Sequence, residues 1–196
     1  MRRVLITGLA GAGKTTLARR LAAAIGIPWH SLDDLYYGPG LEMAPTFPGE
    51  IERITMENGW IFDSGGPLPG NPAMAAIRDL MWARADTLVW LDYSRPVVLR
   101  RATARSLRRI ITREQLWHGH RDTPRQWLRD DHPIRKAWAS HRSRREQLAE
   151  RTRSSSWAPL EVIRLPDPRA AESWLGTVSA AHSGAVRRPG RICWKQ

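Results

Sequence analysis

Apolar positions along this chain fall into two rhythms. Short, largely apolar runs, at Val4 to Thr7, Trp60 to Phe62 and Thr87 to Tyr93, with a last strand at Leu160 to Leu165, alternate with longer segments whose apolar residues recur every three or four positions. A continuous run marks a strand covered on both faces, as in a parallel sheet, and the longer segments read as helices crossing between strands. The pattern predicts helices over Thr15 to Ile25, Asn71 to Ala83, Pro96 to Thr112, Ile134 to Arg151 and Asp167 to Ser179. Ala44 to Gly59 reads as a loop and then a helix: Pro48 suits its beginning, Ile51, Ile54 and Met56 face inward, and Gly59 ends it. Pro28 to Leu32 reads as a short strand running into a loop that carries Asp33 and Asp34. Neither rhythm holds over residues 114–133, where Trp117, His118, Gly119, His120, Pro124 and Trp127 suggest an irregular lid.

A chain of 196 residues with 42% apolar content suits one α/β domain. We expect it to span residues 1–180, with a lid insertion at about 100–150 and a frayed basic tail over 181–196. Charge sharpens this picture, because the net +12 is not spread evenly. Residues 95–153 hold 16 Arg and 1 Lys against 6 acids. Arg101, Arg105 and Arg108 share one helix face at spacings of four and three. Cys193 is the only cysteine, which excludes an internal disulfide framework and a cysteine-based metal cluster and fits a reducing cytoplasm. The N-terminus enters a strand without an apolar leader, and no apolar run approaches the roughly 20 residues of a membrane span. His118 and His120 flank a glycine without a third ligand for zinc, and His30 reads as packing.

The chemistry is concentrated between the first strand and the first helix. Gly8-Leu9-Ala10-Gly11-Ala12-Gly13-Lys14-Thr15 fits G-x-x-x-x-G-K-[ST] in the strand–loop–helix context that gives this motif its meaning. Gly8, Gly11 and Gly13 let the main chain turn tightly with its N–H groups facing inward, Ala12 adds its own N–H, and the helix contributes the positive end of its dipole. Lys14 is placed for the β- and γ-phosphates of a nucleoside triphosphate, Thr15 for one coordination position on Mg²⁺, and Thr16 for the α-phosphate. ATP and Mg²⁺ are therefore the expected cofactors. In a parallel sheet ligands gather at the carboxyl ends of strands, so Asp33 and Asp63 are expected to face the same cleft.

Taken together, the loop, "IPWHSLDDLYYGPG", "GWIFDSGG" and "LVWLDYSRPVVLRRATARSLRR" resemble the adenylate-kinase-like branch of P-loop proteins. The nearest resemblance is to small bacterial ATP-binding, nucleotide-kinase-like proteins labelled DNA topology modulation proteins, and it runs from Arg3 to about Leu165. It implies a three-layer α/β kinase core with five parallel strands and an Arg-rich helical lid. It further implies that Asp33 meets the acceptor hydroxyl or the metal, that Asp63 holds Mg²⁺ through water, and that Arg101 and Arg105 are the first pair of lid arginines. The lid-return arginines lie among Arg142, Arg144 and Arg145. Ser64 and Gly65 replace the Gly-Asn common in that subfamily, and the D-G-[FY]-P-R run of adenylate kinases is absent, which argues against AMP as the specific acceptor.

The leading expectation is an ATP- and Mg²⁺-dependent phosphotransferase acting on a nucleotide or another small hydroxyl-bearing molecule. The alternative is an ATP-binding regulator or ATPase whose arginine helices track a nucleic-acid backbone. The two differ in where the arginines point: into a cleft, or over a continuous convex stripe.

Overall fold

The computed structural model describes residues 1–38, 40, 42–65, 72–112 and 133–186. In chain order the elements are β1 (Arg3–Gly8), α1 (Lys14–Ile25), β2 (Trp29–His30), α2 (Leu32–Tyr36), α3 (Phe47–Thr55), β3 (Trp60–Phe62) and α4 (Pro72–Arg84). They continue with β4 (Thr87–Leu91), α5 (Arg95–Thr112), α6 (Pro133–Arg153), a 3₁₀ turn (Ser155–Trp157), β5 (Glu161–Leu165) and α7 (Pro168–Val186). The strands form one parallel five-stranded sheet in the order β2-β3-β1-β4-β5. The reversal of direction around β1 puts the β1–α1 loop at the switch point, where an open α/β sheet leaves a crevice at its carboxyl edge.

Alternate residues of each strand serve opposite layers. Val4, Ile6, Val89 and Leu91 meet Leu17, Ala18 and Leu21 of α1 and Ala171 and Leu175 of α7. Leu5, Trp60, Phe62, Leu88 and Trp90 meet the other layer through Phe47, Ile51, Met81, Trp82 and Leu148. Burial on both faces explains why β1, β3 and β4 read as unbroken apolar runs.

Several expected boundaries shift for local reasons. The strand expected over Pro28 to Leu32 is confined to Trp29–His30, because Ser31 leaves the sheet and its hydroxyl accepts the Asp34 N–H at 3.3 Å, capping α2. Asp33 and Asp34 thus stand in the first turn of a helix, not in a loop. Helix α3 stops at Thr55, so Met56 falls off its apolar stripe and is 70% exposed, while Ile51 and Ile54 are buried as expected. On α5 the buried stripe is Val98, Ala102 and Ser106, whereas Leu107 is 48% exposed: small residues bring this helix close to the β1–α1 loop. Helix α7 continues to Val186, beyond both its expected end at Ser179 and the expected start of the tail. The expected lid over 114–133 lies, but for Pro133, outside the described residues, as do Arg113, Cys193 and the last ten residues.

The amino-terminal end of the sheet is tied by Asp86, whose carboxylate accepts the N–H groups of Arg2 and Arg3 at 2.7 and 2.9 Å and the Thr87 hydroxyl at 2.7 Å. Burial works against the charge, but the Thr87 hydroxyl and the two N–H groups outweigh it and hold the carboxyl below its usual range. A depressed native pKa means that this stabilisation is complete above the ordinary carboxylate pKa and is lost as pH falls through the native value. Asp86→Asn is expected to lower stability by about 1 kcal/mol at neutral pH, and by progressively less in acid, in urea unfolding followed across pH.

Candidate active site

Two glycines show why the β1–α1 loop has the composition it does. Gly11 sits at φ +91°, and a Cβ there would lie 2.8 Å from the Val98 carbonyl oxygen and 2.9 Å from the Ala102 Cβ. Gly13 sits at φ +96°, where a Cβ would come within 2.9 Å of Arg101 Nη2. Any side chain at either position would strain the backbone and displace α5 or its arginine. Gly13 is also the N-cap of α1 and supplies no side-chain bond, so the first-turn N–H groups are available to an anion. The loop closes on itself through the Ala12 N–H to the Leu9 carbonyl at 3.0 Å.

Lys14 opens α1 and its ammonium donates to the Leu9 carbonyl at 3.3 Å. Burial lowers its pKa, Asp33 and Asp63 pull it back up, and Arg105 and Arg144 push it further down. Next in sequence, the Thr15 hydroxyl donates to Asp63 Oδ2 at 2.6 Å, while the other oxygen of Asp63 accepts the Leu32 N–H at 3.1 Å. Asp63 is 6% exposed and stands just beyond β3, so the strand-end expectation for this carboxylate is met in space. A hydroxyl and a carboxylate held in contact suit Mg²⁺, which takes few protein ligands and completes its shell with phosphate and water. No cluster of three or more His, Cys, Asp or Glu residues among the described ones offers a metal cage.

Asp33 approaches from α2. Enclosure pushes its carboxyl above the ordinary range, Lys14 pulls it down, Asp63 and Asp34 push it up, and Arg105 pulls it down. The group is therefore within electrostatic reach of a cation, Lys14, and of an anion, Asp63. His30, by contrast, lies against Phe62 with ring centroids 5.5 Å apart, and burial lowers its pKa, in keeping with a packing role.

The arginines separate into those that face the cleft and those that do not. Arg101 lies over Gly13, and Arg105 acts on both Lys14 and Asp33. Arg144 lines a 190 Å³ cavity together with Gly8, Leu9, Ala10, Lys14, Ser64 and Asp92. Arg142 points outward, its side chain 87% exposed and paired with Glu146 at 2.8 Å. Arg145 lines the same cavity, but its guanidinium is engaged by Asp92, with Nε 2.7 Å from Oδ1. Sequence reasoning assigned no role to Asp92, although it follows the buried strand β4 as Asp63 follows β3. The strand-end rule would have found it.

A parallel sheet in the order β2-β3-β1-β4-β5, with a glycine-rich phosphate loop at its switch point, defines the P-loop kinase fold. Solved shikimate kinases share this fold with the chain. The enzyme from Acinetobacter baumannii, in complex with shikimate, superposes with a TM-score of 0.55 at 13% identity over 96% of each chain. Those from Bacteroides thetaiotaomicron and Aquifex aeolicus give TM-scores of 0.54 and 0.51 at 15% and 14% identity. They cover 93% and 94% of this chain and 98% of their own in each case. No protein-family profile matches the sequence, and no curated protein matches it.

Asp63→Asn is expected to keep its contact with Thr15 but lose the charge that would attract a divalent cation. Calorimetric titration of ATP at rising Mg²⁺ should show the metal requirement increased about tenfold, with Thr15→Ala shifting it in the same direction.

Proposed function

We propose that this protein is an ATP- and Mg²⁺-dependent kinase that transfers the γ-phosphoryl group to a hydroxyl of a small molecule. The observation that carries this reading is the Asp63 carboxylate, which joins Thr15, next to Lys14, to Leu32, next to Asp33, so that a phosphate-loop lysine and a carboxylate lie within electrostatic reach of each other. The shared fold with shikimate kinases supports a small-molecule acceptor at the level of fold class. The likeness to DNA topology modulation proteins rests on the sequence motifs alone.

In this reading the main chain of Gly8, Gly11 and Gly13 cradles the phosphates, while the Ala12 N–H, engaged by the Leu9 carbonyl, shapes the loop. Thr16 approaches the α-phosphate, and Lys14 bridges the β- and γ-phosphates. A divalent cation held by Thr15 and Asp63 supplies neutralisation of the phosphate charge. Asp33 orients the acceptor hydroxyl and takes its proton as the acceptor oxygen bonds to the γ-phosphorus. The bond from that phosphorus to the bridging oxygen breaks, and its electron pair leaves with ADP. Arg101 and Arg105 stabilise the charge spread over the transferring group. Lys14, Arg101, Arg105 and Arg144 gather around the phosphate loop, which favours a polyanionic substrate there. The position of Arg101 beside Gly13 and of Arg144 beside Lys14 favours this reading over the nucleic-acid alternative.

The decisive experiment is γ-phosphate transfer from ATP to a panel of shikimate, sugars, nucleosides, nucleotides and oligonucleotides, read by product mass. Lys14→Ala should remove more than 99% of turnover in a folded protein, a loss consistent with removing a charge from the transition state. Because only ionised Asp33 accepts a proton, kcat/KM should fall as pH drops through its raised pKa. This limb should lie above the roughly 3.9 of a free aspartate. Asp33→Asn should abolish the limb and lower kcat by about 10²-fold or more. Arg105→Lys keeps charge but loses the fork, and should lower kcat about tenfold with little change in ATP affinity. Transfer to no acceptor, together with nucleic-acid binding that falls steeply with salt, would favour the regulator reading.

A further inference from the structure

Asp92 is a buried carboxylate to which the proposed reaction gives no task. Its side chain is 3% exposed, at the carboxyl end of β4, with its own N–H held by the Leu165 carbonyl at 2.9 Å. Two guanidinium groups converge on it. Arg145 from α6 is bidentate, Nε 2.7 Å from Oδ1 and Nη2 2.9 Å from Oδ2. Arg164 from β5 places Nε 2.7 Å from Oδ2 and stacks over Trp90 at 4.8 Å. One turn earlier on α6, the His141 ring nitrogen Nε2 meets the Tyr93 carbonyl at 3.0 Å. The middle of α6 is thus fastened to the two residues that follow β4.

Between these two fastenings α6 carries Arg144. Adjacent helix residues point about 100° apart, so a helix held by Arg145 can aim Arg144 elsewhere. Arg144 faces the cavity that it shares with Lys14. Among the described residues no carboxylate pairs with it, and its charge opposes that of Lys14. A cation kept beside another cation needs an external restraint, and the bidentate Asp92–Arg145 pair is one with directional bonds on a rigid strand end. We propose that Asp92 is a positioning residue for γ-phosphate recognition: by fastening Arg145 it holds α6 at the height that keeps Arg144 over Lys14. This rests on the reading above that the loop binds ATP, and it adds a residue outside the loop that distinguishes ATP from ADP.

The test measures the affinities of MgATP and MgADP for the full chain by calorimetry and takes their ratio, which isolates the γ-phosphate and needs no acceptor. Arg144→Ala should lower the ATP:ADP ratio by about tenfold, the scale of one charge-assisted hydrogen bond. Asp92→Asn should lower the ratio by about threefold to tenfold, leave MgADP affinity within about twofold, and have no further effect when combined with Arg144→Ala. Arg145→Lys keeps the positive charge that lines the cavity but loses the bidentate fork to Asp92, and serves should Asp92→Asn fail to fold. Arg142→Ala, on the outer face, should leave the ratio unchanged. A merely structural Asp92 would lower the unfolding midpoint with the ratio intact, and that result overturns the proposal. So do losses that multiply in the double variant. A parent chain that binds MgATP and phosphorylates no acceptor removes the proposed reaction, while the ratio still decides the role of Asp92.

Discussion

The site is set by one carboxylate. Asp63 accepts the Thr15 hydroxyl with one oxygen and the Leu32 N–H with the other, and so pins the start of α1 and the start of α2 to the end of β3. Lys14 is one residue before the first partner and Asp33 one residue after the second. The spacing between Lys14 and Asp33 is therefore set by two hydrogen bonds to a single buried group. A buried carboxylate is costly unless its oxygens are satisfied, so the arrangement that fixes the site also makes Asp63 tolerable where it stands.

The second constraint is the repulsion among cations. Arg101 and Arg105 come from α5, Arg144 from α6 and Lys14 from α1, so the cluster is assembled from three elements that would separate on charge alone. Helix α5 is drawn in by contact of Val98 and Ala102 with the Gly11 backbone. Helix α6 is fastened along its length by the Arg95–Trp138 contact, the Asp92–Arg145 pair and the Arg151 guanidinium stacked on Trp82 and Trp157 beside Asp79. Packing and buried pairs do what electrostatics opposes, and the resulting field is available to a phosphate when one arrives.

What the sequence revealed follows from how local each feature is. The loop was legible because its function resides in eight consecutive residues and their strand–helix context. Asp33 and Asp63 were legible through strand order, although the helix that carries Asp33 was not: Leu32 extended the apolar run, and the Ser31 cap was read as more strand. Met56 was misplaced because it stands two residues after Ile54, about 200° around the helix and away from the stripe of Ile51, Ile54 and Thr55. The choice among Arg142, Arg144 and Arg145 was beyond local reasoning. It depends on the rotation of α6 about its axis, to which contacts from distant residues contribute, among them Asp92, 53 residues from Arg145 in sequence.

The strand at one edge of the sheet, β2, is only two residues long. An exposed edge recruits other chains in proportion to the row of unpaired N–H and C=O groups it presents. Two residues present almost none. At the opposite edge β5 carries Glu161 and Arg164, charged groups that a docking strand would have to desolvate. The β2 edge thus offers little to strand addition, and at the β5 edge the charged side chains raise its cost.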